Sequence, residues 1–231
     1  MTRFHVEGAR PRPLRAMALA AFVLLAVGCA SVGSGGDGAR RSVEVKTGGR
    51  DAARIEPDGQ HGFTVPEDVR IASDVRSDYQ RAIGLLQRGA MEEGVAALES
   101  VVERAPEAVI PRIDLGVALA RLGQHGAAEH SLEAALALAP GHPAALNELG
   151  IVYRQTGRFE EARASYERAL SIHAEYHYAI LNLGMLCDLY VEDLACALEN
   201  YDRYARIVTN DPQVPIWIAD VRNRLSAAEP E

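Results

Sequence analysis

From residue 66 to residue 228 apolar positions recur three and four apart in short blocks, and the blocks themselves repeat. Gly89, Gly123 and Gly157 stand 34 residues apart, and Gly116, Gly150 and Gly184 keep the same step. Leu115, Leu149 and Leu183 follow it, as do Gly94, Ala128 and Ala162, then Leu98, Leu132 and Tyr166, then Val101, Ala135 and Ala169. A fixed period of this length marks an array in which each unit buries its apolar face against the next. The blocks predict helix pairs at 66–88 with 91–104, 110–122 with 125–138, 143–156 with 159–172, and 177–189 with 193–208. Thr64-Val65-Pro66-Glu67 has the form of a helix start, with Thr64 as cap, proline in the first turn and Glu67 three residues on. Gly89, Gly123 and Gly157 fall where a left-handed residue would end each first helix. Pro106 and Pro140 close second helices, while Pro111 and Pro143 open the next ones.

The fourth unit departs from the others. Leu183-Gly184 is in place, but Val191 stands where the turn glycine belongs, and Ala197 and Tyr201 come one place late. One extra residue in that turn accounts for the shift. In a last segment, 212–228, Val214, Ile218, Val221 and Leu225 share one face, with Arg222 and Asn223 on another and Trp217 helping to seal it. Such a helix shields the final apolar face that a repeat array would otherwise expose.

These spaced positions resemble tetratricopeptide repeats over about 75–208. Leu115-Gly116, Leu119, Gly123, Ala128, Leu132, Ala135-Leu136 and Pro140 fill the family's signature in order. Leu149-Gly150, Tyr153, Gly157, Phe159, Ala162, Tyr166 and Ala169-Leu170 fill it again. The resemblance implies an all-α fold, a superhelical array of about four helical hairpins (about 75–108, 109–142, 143–176 and 177–211) with a C-terminal capping helix. In the resembled family the first helices line a concave groove. Carried onto this chain, the groove takes Tyr79, Ile83, Ile113, Val117, Asn147, Ile151, Arg154, Tyr178, Leu181, Asn182 and Met185. Amides suit the backbone of a bound peptide and the apolar members anchor its side chains. The competing account is that several of these residues pack against neighbouring helices or a second copy.

Ahead of the array, 1–28 reads as a secretion signal. Arg3, Arg10, Arg12 and Arg15 precede an apolar run at 16–27, too short for the roughly 20 residues of a membrane span. The run ends in Leu25-Ala26-Val27-Gly28-Cys29, which resembles the lipobox of bacterial lipoproteins and makes Cys29 the lipidated first residue. Ala30 and Ser31 lack the aspartate that retains such proteins on the inner membrane, so the resemblance implies the outer membrane, facing the periplasm. Residues 29–65 are Gly-rich and read as a disordered tether with a root-mean-square reach of about 35 Å.

Composition narrows the partners. Removing 1–28 takes away four arginines and one glutamate, which leaves 20 basic and 31 acidic side chains. No basic stripe for nucleic acid exists, and anionic lipid would repel this surface, so membrane affinity rests on the lipid. Glutamates at 92, 93, 99, 103, 129, 133, 160, 161 and 167 mark the outer helices as a solvated acidic face, with a basic partner as the sharper alternative. Cys187 and Cys196 flank the unusual turn, within reach of a disulfide if the chain is exported, or else as two small buried thiols.

The chemistry of catalysis is scarce. His173, Glu175 and His177 offer the spacing of a metal pair, yet fall at a junction between units where the helix should break. No phosphate loop or nucleophile elbow occurs. The sequence therefore predicts a non-enzymatic scaffold without cofactors, binding a protein or peptide. In layout it is similar to pilotin-type lipoproteins that assist secretin assembly in type IV pilus systems. An adaptor for peptidoglycan enzymes or for a TonB–ExbB-type complex is the second reading, and a metal-dependent hydrolase the third.

Overall fold

In the computed structural model, residues 71–228 are described together with two short strand segments, Glu56–Pro57 and Phe63–Thr64. The described helices are α1 (Ser73–Gln87), α2 (Met91–Arg104), α3 (Val109–Arg121), α4 (His125–Leu138), α5 (Pro143–Gln155), α6 (Phe159–Ile172), α7 (His177–Leu189), α8 (Leu194–Ile207) and α9 (Val214–Ala228). Each odd helix packs against the even helix that follows, and each even helix against the next odd one. The result is a file of stacked helical hairpins, closed by α9 against α8.

Two expectations at the N-terminal side are corrected. The first helix starts at Ser73, and Thr64 is no helix cap: Glu56–Pro57 pairs antiparallel with Phe63–Thr64, Glu56 opposite Thr64. Those four residues fall within 29–65, the expected tether. Within the described helix the buried residues are Val75 and Ala82, which set its inward face. Residues 66–70, expected as the first turns of that helix, lie outside the described residues. The signal, Cys29 and most of the tether lie outside the described residues.

The first three hairpins close in the same way. Gly89, Gly123 and Gly157 have φ of 81°, 74° and 78°. Behind them, the N–H of Ala90, Gln124 and Arg158 reaches back to the carbonyls of Leu85, Leu119 and Tyr153. This closure satisfies carbonyls that the ending helix leaves open. The fourth turn holds four residues, 190–193, and its left-handed residue is Glu192, φ 55°. The extra residue read from the late Ala197 and Tyr201 is therefore where the sequence placed it.

The same insertion shows in the core. Leu98, Leu132, Tyr166 and Tyr201 are each at most 2% exposed and fill equivalent holes, with the last step lengthened by one residue. Opposite the last three stand Gly116, Gly150 and Gly184, which have no side chain. A Cβ on Gly116 would lie 2.6 Å from Leu132 Cγ, and one on Gly150 2.5 Å from Tyr166 Cε1. The helices nest at the distance that hydrogen allows and a methyl group forbids.

Candidate functional site

Contacts between alternate helices distinguish the two sides of the array. α3 also touches α5, and α5 touches α7, so the odd helices crowd together on the inner side. Along them run two series at the 34-residue step. Ile83, Val117, Ile151 and Met185 form an apolar rail, and every member is half-buried. Three residues earlier on each helix, Gln80, Asp114, Glu148 and Asn182 form a polar rail on the same face.

The expected groove residues divide. Ile83, Val117, Ile151, Leu181 and Met185 are half-buried, and Tyr178 is 39% exposed, so these six offer surface to a ligand. Ile113 and Asn147 do not: they are 6% and 1% exposed. Ile113 belongs to the core of the second hairpin. The Asn147 amide is spent within the protein, donating to Glu148 Oε1 at 3.1 Å and accepting from Asn182 Nδ2 at 3.0 Å. Tyr79 is half-buried and its hydroxyl donates to Asp114. These bridges join a residue of one repeat to the polar rail of the next.

Arg154 is held more firmly than the sequence implied. Its Nε meets Tyr166 Oη at 3.4 Å and its Nη1 meets Tyr190 Oη at 3.2 Å, with the guanidinium 5.4 Å from the Tyr190 ring centroid. Tyr190 is itself 42% exposed and rests on Phe159, ring centroids 5.3 Å apart. Burial pushes the Tyr166 hydroxyl up to about 12, so it stays protonated beside the arginine. Tyr190 and Glu148 were not among the residues expected at the groove. Glu148 could have been found from its place in the 34-residue polar series. Tyr190 could not, because it lies in the irregular turn.

Cys187 and Cys196 are joined by a disulfide, Cα atoms 5.9 Å apart, that ties α7 to α8 across that turn. Asp193 caps α8 by accepting from Cys196 N–H at 3.1 Å, and Arg163 of the previous repeat reaches Asp193 at 3.2 Å. Nearby, Tyr201 Oη donates to Asp188 Oδ2 at 3.1 Å, and Arg224 of α9 pairs with the other oxygen. A carboxylate 8% exposed thus locks the capping helix onto the last hairpin.

His173 ends α6 and His177 begins α7, so they share no helix face; His173 stacks on Tyr176, and His177 packs against Tyr178 and Tyr204. Glu175 is exposed in the connection between them. Among the described residues, Cys187, Asp193 and Cys196 are the group with metal-type ligand atoms in mutual reach, and their two sulfurs are bonded to one another. Among the described residues no helix is long and apolar enough to cross a membrane.

Comparison with known proteins agrees with this geometry. A family profile described as tetratricopeptide repeat matches residues 79–129 and 113–177. No curated protein matches the sequence. Among solved structures, PilF of Pseudomonas aeruginosa is similar with a TM-score of 0.60 and 24% identity, over 66% of this chain and 69% of that one. MamA of Desulfovibrio magneticus RS-1 gives a TM-score of 0.60 at 20% identity, over 68% and 88% of the two chains. A thermophilic tetratricopeptide-repeat protein of Thermus thermophilus gives 0.58 at 22%, over 65% and 82%. At these identities the likeness is one of fold. Period, hairpin packing and profile coincide, and the helical region of this chain is a tetratricopeptide-repeat array.

Proposed function

We propose that this protein is a non-enzymatic scaffold, acylated at Cys29, held on the periplasmic face of the outer membrane, that grips a segment of a cell-envelope complex in its inner groove. The observation that carries the binding reading is the apolar rail of Ile83, Val117, Ile151 and Met185, one half-buried side chain on every inner helix. A rail at a constant step suits an extended or helical segment lying across the hairpins. Each anchor buries apolar area against the ligand, and Tyr178 adds an amphipathic edge. The anchor reading rests on the lipobox-like 25–29 and on a disulfide suited to an oxidising compartment.

The likeness to PilF makes type IV pilus assembly the first complex to test. An adaptor for peptidoglycan enzymes or a TonB–ExbB-type complex is the other assignment. A photoreactive residue at 178, in cells of the source organism, is expected to cross-link to one envelope protein, and Ile151→Glu with Leu181→Glu to abolish that adduct while helicity persists. A secretin, a cell-wall hydrolase and a proton-channel subunit are distinguishable products by mass. An adduct formed equally by a probe at Glu129 on the outer helices moves the interface away from the groove. Cys29→Ala is expected to release the protein from the membrane fraction, and its retention there would remove the lipid anchor from the account.

A further inference from the structure

The inner face carries a second determinant beside its apolar rail. At mid-array the polar rail presents Glu148, half-buried on α5, with Asp114 one repeat before it. The Glu148 carboxylate has one hydrogen-bond donor, the Asn147 amide at 3.1 Å, and forms no ion pair among the described residues. The cation acting on it is Arg121, exposed at the end of α3, and Asp114 opposes it. Its field also reaches the hydroxyls of Tyr166, Tyr176 and Tyr178, the last of them exposed. Burial lifts the Glu148 carboxyl above its ordinary range. A carboxylate partly withdrawn from water and underpaired is a group that gains when a cation joins it.

From this arrangement, and resting on the groove reading above, we propose that the occupant carries a lysine or arginine that seats against Glu148, beside the Tyr178 ring, while neighbouring apolar side chains cover Ile151 and Met185. Charge complementarity selects this occupant over an acidic one. Arg154, the cation expected in the groove, is already occupied by Tyr166 and Tyr190. The array contains no lysine, since Lys46 is the chain's one lysine, so it has no flexible ammonium to capture a partner's carboxylate. The Tyr178 face would add cation–π attraction for the bound charge. The outer helices are acidic as well, so long-range steering and the local contact have the same sign.

The test selects random twelve-residue peptides displayed on phage against the mature chain with Cys29→Ser, in parallel with its Glu148→Gln variant. Binders of the parent are expected to share a lysine or arginine at one register, and replacing it with norleucine in a synthetic copy is expected to weaken binding about tenfold, the scale of one partly desolvated charge-assisted contact. Glu148→Gln should erase both the enrichment and that tenfold difference. Groove binders with no basic preference, with acidic residues enriched, or with a lysine whose effect survives Glu148→Gln would overturn the inference. Binders that ignore Ile151→Glu with Leu181→Glu, and label at Glu129 rather than at 178, would instead overturn the groove reading itself. Recovery of no binder at all would count against both.

Discussion

His142 turns the N-terminus of α5 into a pH-sensitive joint. It is 3% exposed, and its Nδ1 accepts the Ala145 N–H at 3.3 Å as the cap of the helix. Burial lowers its pKa from 6.5 to about 4, so the folded chain keeps the ring neutral and free to accept. As pH falls, the unfolded chain takes up the proton first, and the balance shifts toward unfolding. The His142 contribution is therefore intact above about pH 6.5, declines between there and about pH 4, and is fully lost below. Integrated from pH 7 to 4.5, that difference is about 2.5 kcal/mol. Urea unfolding followed by circular dichroism, on mature Cys29→Ser protein and on the same protein with His142→Asn, measures it. Asparagine retains a capping oxygen but does not titrate. Glu148 acts with the opposite sign, since its raised carboxyl gives the folded state the greater proton affinity on acidification. Being present in both proteins, it cancels in their difference. The stability gap is expected to close by about 2.5 kcal/mol toward pH 4.5 in favour of the variant. Parallel stability curves would refute the buried, neutral histidine.

Other perturbations follow from the packing. Gly150→Ala sets a methyl group 2.5 Å from the buried Tyr166 ring and is expected to cost about 1–3 kcal/mol by urea unfolding, whereas Gly126→Ala, with nothing within 4 Å, should be neutral or slightly stabilising. Replacing Cys187 and Cys196 with serine opens the α7–α8 staple, and the short loop it closes predicts a loss of about 2–3 kcal/mol in thermal or urea unfolding relative to the oxidised protein. Glu192→Gly removes a side chain from a residue at φ 55° and should gain about 0.5 kcal/mol, the left-handed strain relieved less the entropy glycine brings to the unfolded chain. Asp188→Ala leaves the Tyr201 hydroxyl without its acceptor and Arg224 with Asp220 of its own helix alone, and is expected to loosen α9, seen as faster hydrogen exchange at Val214, Ile218 and Val221 than at Leu132.

The sequence by itself determined the period, the hairpins, the three glycine turns and the extra residue in the fourth. All of these are local or recur at a fixed step: a left-handed turn residue favours glycine at one position, and a small residue must face a large one in every repeat. Even the late Ala197 and Tyr201 could be read, because an insertion displaces everything after it by one. The tertiary structure decided how far each inner-face residue is available. Ile113 and Ile151 carry the same side chain on successive inner helices, yet one lies in the core and the other is half-buried on the inner face, because they stand four positions, about one helical turn, apart within the repeat and so meet different neighbours. Asn147 and Arg154 look free in sequence, but partners 35 and 36 residues away consume their hydrogen-bonding groups. The role of Thr64 was likewise decided by a partner outside its own segment, since its cap-like sequence is local while its pairing opposite Glu56 joins two separate stretches of chain.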